Sequence, residues 1–133
     1  MRRYVADTHA TLWFASDARK RLGARARRIF ARLDGITSEV LVSVVSLWEI
    51  ALLSDDGDIR LPAGFSAWCD ALESQPGLRI VPLLREDVEA ARGFGQLRDP
   101  HDRLIAGTAA RLNVPLLSKD SRMFGQPGLR IVW

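Results

Sequence analysis

A short apolar run that passes straight into a helix recurs along this 133-residue chain, and it constrains the fold more than any other feature. Arg3-Tyr4-Val5-Ala6-Asp7 reads as a strand ending on an acid, and a helix continues from Thr8, its expected N-cap, to Phe14. Leu41-Val42-Ser43-Val44-Val45 is almost uninterruptedly apolar, as strands covered on both faces are. Ser46-Leu47-Trp48-Glu49 follows with the Ser-x-x-Glu form of a capping box, opening a helix over 48–53. In residues 98–124 the order reverses. Asp99 is an expected N-cap with Pro100 at the first helical position, where a missing N–H is harmless. The helix runs to about Asn113, a strand covers 114–117, and the chain emerges on Ser118-Lys119-Asp120.

Between these landmarks, helices are expected over 19–33, 65–73 and 86–96, each with apolar residues at helical spacing. The heptapeptide Gln75-Pro-Gly-Leu-Arg-Ile-Val81 recurs as Gln126-Pro-Gly-Leu-Arg-Ile-Val132 without matching flanks. It is read as two strands entered by the same Pro-Gly turn, not as a structural repeat. About five short strands alternating with helices predict an α/β fold, a parallel sheet sandwiched between two helix layers. With 133 residues and no linker or low-complexity segment, residues 1–133 are expected to form one domain.

In such sheets a functional site lies beyond the carboxyl ends of the strands. Asp7 ends the first strand, Glu49 sits one helical turn past the second, and Asp120 follows the strand at 114–117. Asp102 opens the helix feeding that last strand, at the third helical position, where a carboxylate can reach back to the cap. Whether its end of the helix returns to the same edge does not follow from the pattern. Capping alone favours each acid by about 0.3–1 kcal/mol. Two carboxylates about 5 Å apart at an effective dielectric near 20 repel by roughly 3 kcal/mol. A gathered set of four therefore calls for a divalent cation, and hard oxygen ligands select Mg²⁺ or Mn²⁺ over zinc.

Composition narrows the class. Hydrophobic residues at 47% and charged ones at 26% are those of a globular protein. One cysteine, Cys69, rules out an internal disulfide framework, so a cytoplasmic setting is expected. No signal peptide or membrane span is expected, because the longest charge-free stretch, 40–48, is too short to cross a bilayer. The net charge is +3, yet Arg19, Lys20, Arg21, Arg25, Arg27, Arg28 and Arg32 concentrate seven cations in residues 19–33, leaving the remainder net acidic. That helix reads as a solvated basic face, with a contact for RNA or for an acidic partner as the alternative. Trp13, Trp48, Trp68 and Cys69 fall within apolar faces and are expected in the core.

VADTHATLW at the N-terminus, SLWEI in the middle, RDPHDRLIAGTA and then PLLSKD resemble a PIN domain, more narrowly the VapC-type toxins of bacterial toxin–antitoxin pairs. The four motifs stand in the right order across almost the whole chain. The resemblance implies an α/β/α sandwich, usually dimeric, that hydrolyses RNA with Mg²⁺ or Mn²⁺. It also implies a cognate VapB-like antitoxin whose C-terminal segment covers the active-site groove. By motif, the implied catalytic and metal-binding acids are Asp7, Glu49, Asp102 and Asp120, with Ser118 as an alternative sharer of the last role. Asp99 belongs to the motif as written, and His101 stands where similar sequences often carry an aromatic residue. On the residues themselves, His9 is a helix-face histidine before it is a general base. A non-catalytic RNA- or protein-binding module on the same fold is the alternative.

Overall fold

The computed structural model describes all residues, Met1–Trp133. Its centre is a five-stranded, wholly parallel sheet: β1 (Arg2–Ala6), β2 (Ser38–Ser43), β3 (Leu78–Val81), β4 (Leu116–Leu117) and β5 (Ile131–Val132), in the spatial order β3-β2-β1-β4-β5. β1 pairs with β2 from Arg2↔Ser38 to Ala6↔Val42, and with β4 through Val5↔Leu116 and Ala6↔Leu117. The helices are α1 (Thr8–Phe14), α2 (Ala24–Ala31), α3 (Val44–Asp55), α4 (Phe65–Glu73), α5 (Arg85–Ala91) and α6 (Pro100–Leu112). The expected α/β/α sandwich is thus the observed one.

Two cores flank the sheet because its central strands bury both faces. Val40, Val42, Ala6 and Leu117 meet Phe14, Leu22, Ala26, Phe30 and Leu72 on one side. Val5, Leu41 and Leu116 meet Ile105, Ala106, Ala109 and Phe94 on the other. Phe14 and Phe30 stack with ring centres 4.4 Å apart, tying α1 to α2. The duplicated heptapeptide supplies the two outermost strands, each entered through a glycine in the left-handed region, Gly77 at φ 77° and Gly128 at φ 79°. At Gly77 the need is doubly strict, since a Cβ would lie 2.8 Å from the Gly35 nitrogen.

Several boundaries differ from the sequence reading. Asp7, not Thr8, caps α1, its carboxylate accepting from the Ala10 N–H at 2.8 Å. Ser43 caps α3, so this helix begins before Ser46 and no Ser46–Glu49 box forms. The 19–33 segment is broken: a 3₁₀ turn over Arg19–Arg21 gives way at Leu22 and Gly23 before α2 starts. A Cβ on Gly23 would clash with the Trp133 backbone, so the C-terminus packs into that break. The expected 86–96 helix stops at Ala91 and continues as a 3₁₀ turn, Arg92–Phe94. Trp48 is not core but 55% exposed, and Val88, one of the apolar residues of the expected 86–96 helix, is 46% exposed. Trp13, Trp68 and Cys69 are half-buried at the core margin. The apolar stripe of Leu22, Ala26 and Phe30 is covered by the sheet and α1.

The path from β3 to α6 decides where Asp102 lies. Asp87, near the start of α5 and wholly buried, pairs with Arg111 near the end of α6. At the opposite end the Ala91 carbonyl accepts from Arg103 at 3.4 Å. α5 and α6 therefore form an antiparallel hairpin, and α5 carries the chain back to the carboxyl edge, where α6 opens. Gly107 permits the close approach, since a Cβ there would meet the Asp87 carbonyl oxygen at 2.6 Å and the Ala91 nitrogen at 2.7 Å. Backbone cannot yield as a flexible side chain would. Gly107→Ala is therefore expected to lower unfolding free energy by about 1–3 kcal/mol through overpacking, despite the better helix propensity of alanine. Denaturant unfolding checks this, and a neutral or stabilising result would contradict the close approach.

Candidate active site

Of the acids read from the sequence, Asp7 and Asp120 follow β1 and β4, whereas Glu49 lies within α3 and Asp102 in the first turn of α6. Asp7 leaves β1 and caps α1. Burial pushes its carboxyl above the ordinary range, against hydrogen bonds from Ser118 and the Ala10 N–H that favour the charge. Ser118, immediately after β4, is itself fully buried. Glu49 lies in the second turn of α3, where Thr8 Oγ1 donates to its Oε1 at 2.6 Å. Ser46 Oγ is 3.2 Å from the same Thr8 oxygen. The Thr8 hydroxyl thus fixes one oxygen of the Glu49 carboxylate, with Ser46 beside Thr8.

Asp99 caps α6, accepting from the His101 and Asp102 N–H groups at 2.8 and 3.2 Å. No bond from Asp102 back to the cap forms, and its carboxylate is left facing the other acids. Burial first, then repulsion from Asp99, Glu49 and Asp120, pushes Asp102 up to about 7, with Arg122 pulling the other way. Asp120 is bound end-on by Arg122, whose Nη2 reaches its Oδ2 at 2.7 Å and whose Nε reaches its Oδ1 at 2.9 Å. That pairing holds Asp120 below the usual carboxylate range. Asp7 also feels the negative charge of Asp120. All four acids therefore share one electrostatic neighbourhood.

The tightest grouping of ligand-capable atoms is a different set. Oxygens of Glu49 and Asp99 and a ring nitrogen of His101 all lie within 4.8 Å of one another. His101 Nδ1 is 3.5 Å from Asp99 Oδ1 and 3.8 Å from Glu49 Oε2. Nothing in the sequence pairs His101 with Glu49, because the two meet only through the packing of α6 beside α3. Arg122 is visible in the sequence only as a cation two residues after Asp120. Its grip on that acid comes from the 3₁₀ turn that Asp120 caps. His9 is exposed, its ring 5.6 Å from that of Trp13, and its charge favours ionised Asp7 and Asp120. The Asp55, Asp56 and Asp58 group, which superficially suggests a calcium loop, is an exposed turn at the end of α3.

The donor set fits a hard divalent cation. It is dominated by carboxylate oxygens with one imidazole at its margin, and Asp102 shows the repulsion that an added positive charge would relieve.

A wholly parallel sheet lies between helix layers, with carboxylates converging beyond its carboxyl edge, an α/β sandwich with an acidic site. The PIN domain profile matches residues 4–127. The chain belongs to the PIN domain family. A search of curated protein sequences gives no match. Among solved structures, the chain is similar to Salmonella typhimurium VapBC bound to DNA, with TM-score 0.70 and 20% identity over 99% of this chain and 98% of that one. It is equally similar in fold to VapBC2 from Rickettsia felis bound to a promoter DNA fragment, with TM-score 0.70, 15% identity and coverage of 98% and 97%. A third is VapC20 of Mycobacterium tuberculosis, a toxin that cleaves the sarcin-ricin loop, with TM-score 0.57, 19% identity and coverage of 96% and 98%.

The raised Asp102 makes stability depend on pH in a definite direction. Its folded value, about 7, lies above its ordinary 3.8. The folded state therefore binds the proton more tightly, and the destabilisation from the charged form is fully present above pH 7 and is lost as pH falls toward 4. Metal-free protein is expected to be more stable at pH 5.5 than at pH 8, by about 1–2 kcal/mol once solvent screening of this half-buried group is allowed for. Asp102→Asn should flatten the difference. Melting temperatures of the two proteins in EDTA across that range check it, and parallel curves would refute the assignment.

Proposed function

We propose that the chain is a divalent-metal-dependent endoribonuclease and the toxin of a toxin–antitoxin pair, neutralised by a VapB-like antitoxin. The observation that carries this reading is the convergence of Asp7, Glu49, Asp102 and Asp120 at the carboxyl edge of a PIN domain, with Asp102 pushed up to about 7 by burial first and then by the neighbouring acids. The toxin nature of VapC20 and the antitoxin complexes among the similar folds support it.

In this reading Asp7 and Asp102 hold Mg²⁺ or Mn²⁺ directly, while Glu49 and Asp120 complete the surroundings. When bound, such an ion would supply charge neutralisation for a phosphate oxygen and a lowered pKa for nearby water. The chain's own residues set the geometry. Ser118 and the α1 amide orient Asp7, and Thr8 orients Glu49. Asp120 presents the largely exposed Arg122 guanidinium beside Asp99 and Asp102, where a phosphate can take a forked contact.

Two surfaces suit the implied partners. A groove of about 1150 Å³ beside His9 is lined by Leu12, Trp13, Leu53 and Trp68 with Arg19 and Arg21 near its rim. It suits an antitoxin segment that combines apolar anchors with acids. On the other helix layer Val44 and Trp48 lie one turn apart on α3, and Leu84 and Val88 flank the start of α5, all exposed. Exposed apolar side chains of this kind suit a homodimer contact.

Asp7→Asn and Asp102→Asn should each reduce RNA cleavage by at least about a hundredfold, while leaving the metal-free fold as stable or more so, since an Asn keeps the shape and removes a repulsion. Gel assays on defined RNA and melting curves in EDTA test the two halves. Activity retained in both variants would sink the assignment. Mg²⁺ or Mn²⁺ should restore activity after chelation and Zn²⁺ should not, a test sharpened by His101, whose nitrogen stands beside the oxygen donors. Full activity in excess EDTA would instead indicate metal-independent cleavage. Trp48→Glu should convert a dimer to a monomer at micromolar concentration by analytical ultracentrifugation, leaving the melting temperature nearly unchanged.

A further inference from the structure

The cations of residues 19–33 do not share one face. Arg19 donates to the Phe14 carbonyl and lies over the Phe14 ring, Arg27 turns back to the Leu22 carbonyl, and Arg21 lies over Trp13. Arg25, Arg28 and Arg32 point elsewhere. Together with Arg2 they line a concave site of about 500 Å³, completed by Tyr4, Thr37 and Ser38. None of the four guanidiniums has a carboxylate partner or an internal hydrogen bond, whereas Arg3, one residue away, pairs with Glu39. Asp34, in the turn that leads into β2, is spent on that turn, accepting from the Ile36, Thr37 and Ser38 amides and the Thr37 hydroxyl. Four like charges gathered around one cavity, without an anion, oppose each other.

The site stands at the amino edge of the sheet, where Arg2 and Ser38 begin β1 and β2. Five residues of strand, roughly 16 Å, separate it from Asp7 at the opposite edge. We propose that this arginine basin binds the phosphate backbone of single-stranded RNA away from the bond that is cut. The inference rests on the ribonuclease reading and adds a second contact to it. Two observations favour RNA over an acidic peptide. Only Tyr4 and Ile29 offer apolar surface in the basin, so a peptide would lack anchors, whereas guanidinium forks match phosphates without any. The cutting edge is itself rich in carboxylates that repel RNA, so attraction for the polyanion must come from elsewhere on the chain. At roughly 3.4 Å per stacked nucleotide, about five nucleotides bridge the two edges.

The test uses a 20-nucleotide single-stranded RNA with 2′-O-methyl groups, which resists cleavage, in EDTA, titrated against the full chain at several salt concentrations. Arg25→Gln/Arg28→Gln/Arg32→Gln should weaken binding at least tenfold at low salt. It should also flatten the slope of log affinity against log salt by about 2, at roughly 0.7 for each phosphate that is no longer neutralised. The corresponding triple Lys variant, which keeps charge but not the fork, should recover the slope and only part of the affinity. All three side chains are exposed, so unchanged melting temperatures identify folded variants. Wild-type affinity and slope in the Gln variant would overturn the inference while leaving the ribonuclease reading intact, as would displacement of the RNA by poly-glutamate at equal charge concentration. Cleavage by the wild type without measurable RNA binding that depends on these arginines would overturn it too. Absence of both cleavage and binding would bring down the parent reading with it.

Discussion

The antiparallel closure of α5 on α6 is the constraint on which the candidate site depends. Asp87 is fully buried and would carry a large desolvation penalty without Arg111, which reaches it from the last turns of α6. The pair does not have to stabilise the fold to matter. It penalises any arrangement in which the two helices part or slide, because either would leave a charge buried alone. Gly107 lets the backbones approach, and the result is an α6 whose first turn faces Glu49 and Asp120 rather than the far end of the sheet.

The acid edge then sets local capping against charge repulsion. Asp7, Asp99 and Asp120 each cap a helix or turn and so contribute locally. Asp102 contributes no bond of its own and sits near neutrality, its charge disfavoured by burial and by three neighbouring acids. A structure organised for stability alone would place an apolar or amide side chain there. Retaining a carboxylate at that point makes sense for a site completed by a cation. The two edges of the sheet are also opposite in charge: carboxylates gather where strands end, and unpaired arginines where β1 and β2 begin.

Much of this was readable from local pattern. Apolar runs of β-branched residues, a Pro at the start of α6 and the two Pro-Gly turns predicted five strands and most helices, because each signal acts over a few residues. Asp7, Glu49 and Asp120 were assignable to the carboxyl edge for the same reason: each follows a strand's end by no more than two helical turns. Boundaries shifted where a neighbouring residue capped better, as Asp7 displaced Thr8 and Ser43 displaced Ser46. The freed hydroxyl of Thr8 then turned to Glu49, and that of Ser46 to Thr8.

What tertiary structure alone decided concerns residues distant in the chain. Trp48 reads as core by helical spacing, yet its side of α3 faces outward, because only packing settles which apolar face a helix buries. The His101–Glu49 approach and the Asp87–Arg111 pair join helices whose order in sequence says nothing of their contact. The division of the basic segment into an arginine basin and inward-turned cations follows from the break at Gly23, which Trp133 imposes from the other end of the chain. The sequence by itself determined the alternation of elements and the identity of the acids, since propensity and capping are local. The return of α6 to the acid edge depended on a buried charge pair and a glycine contact between helices, and no local signal carries those.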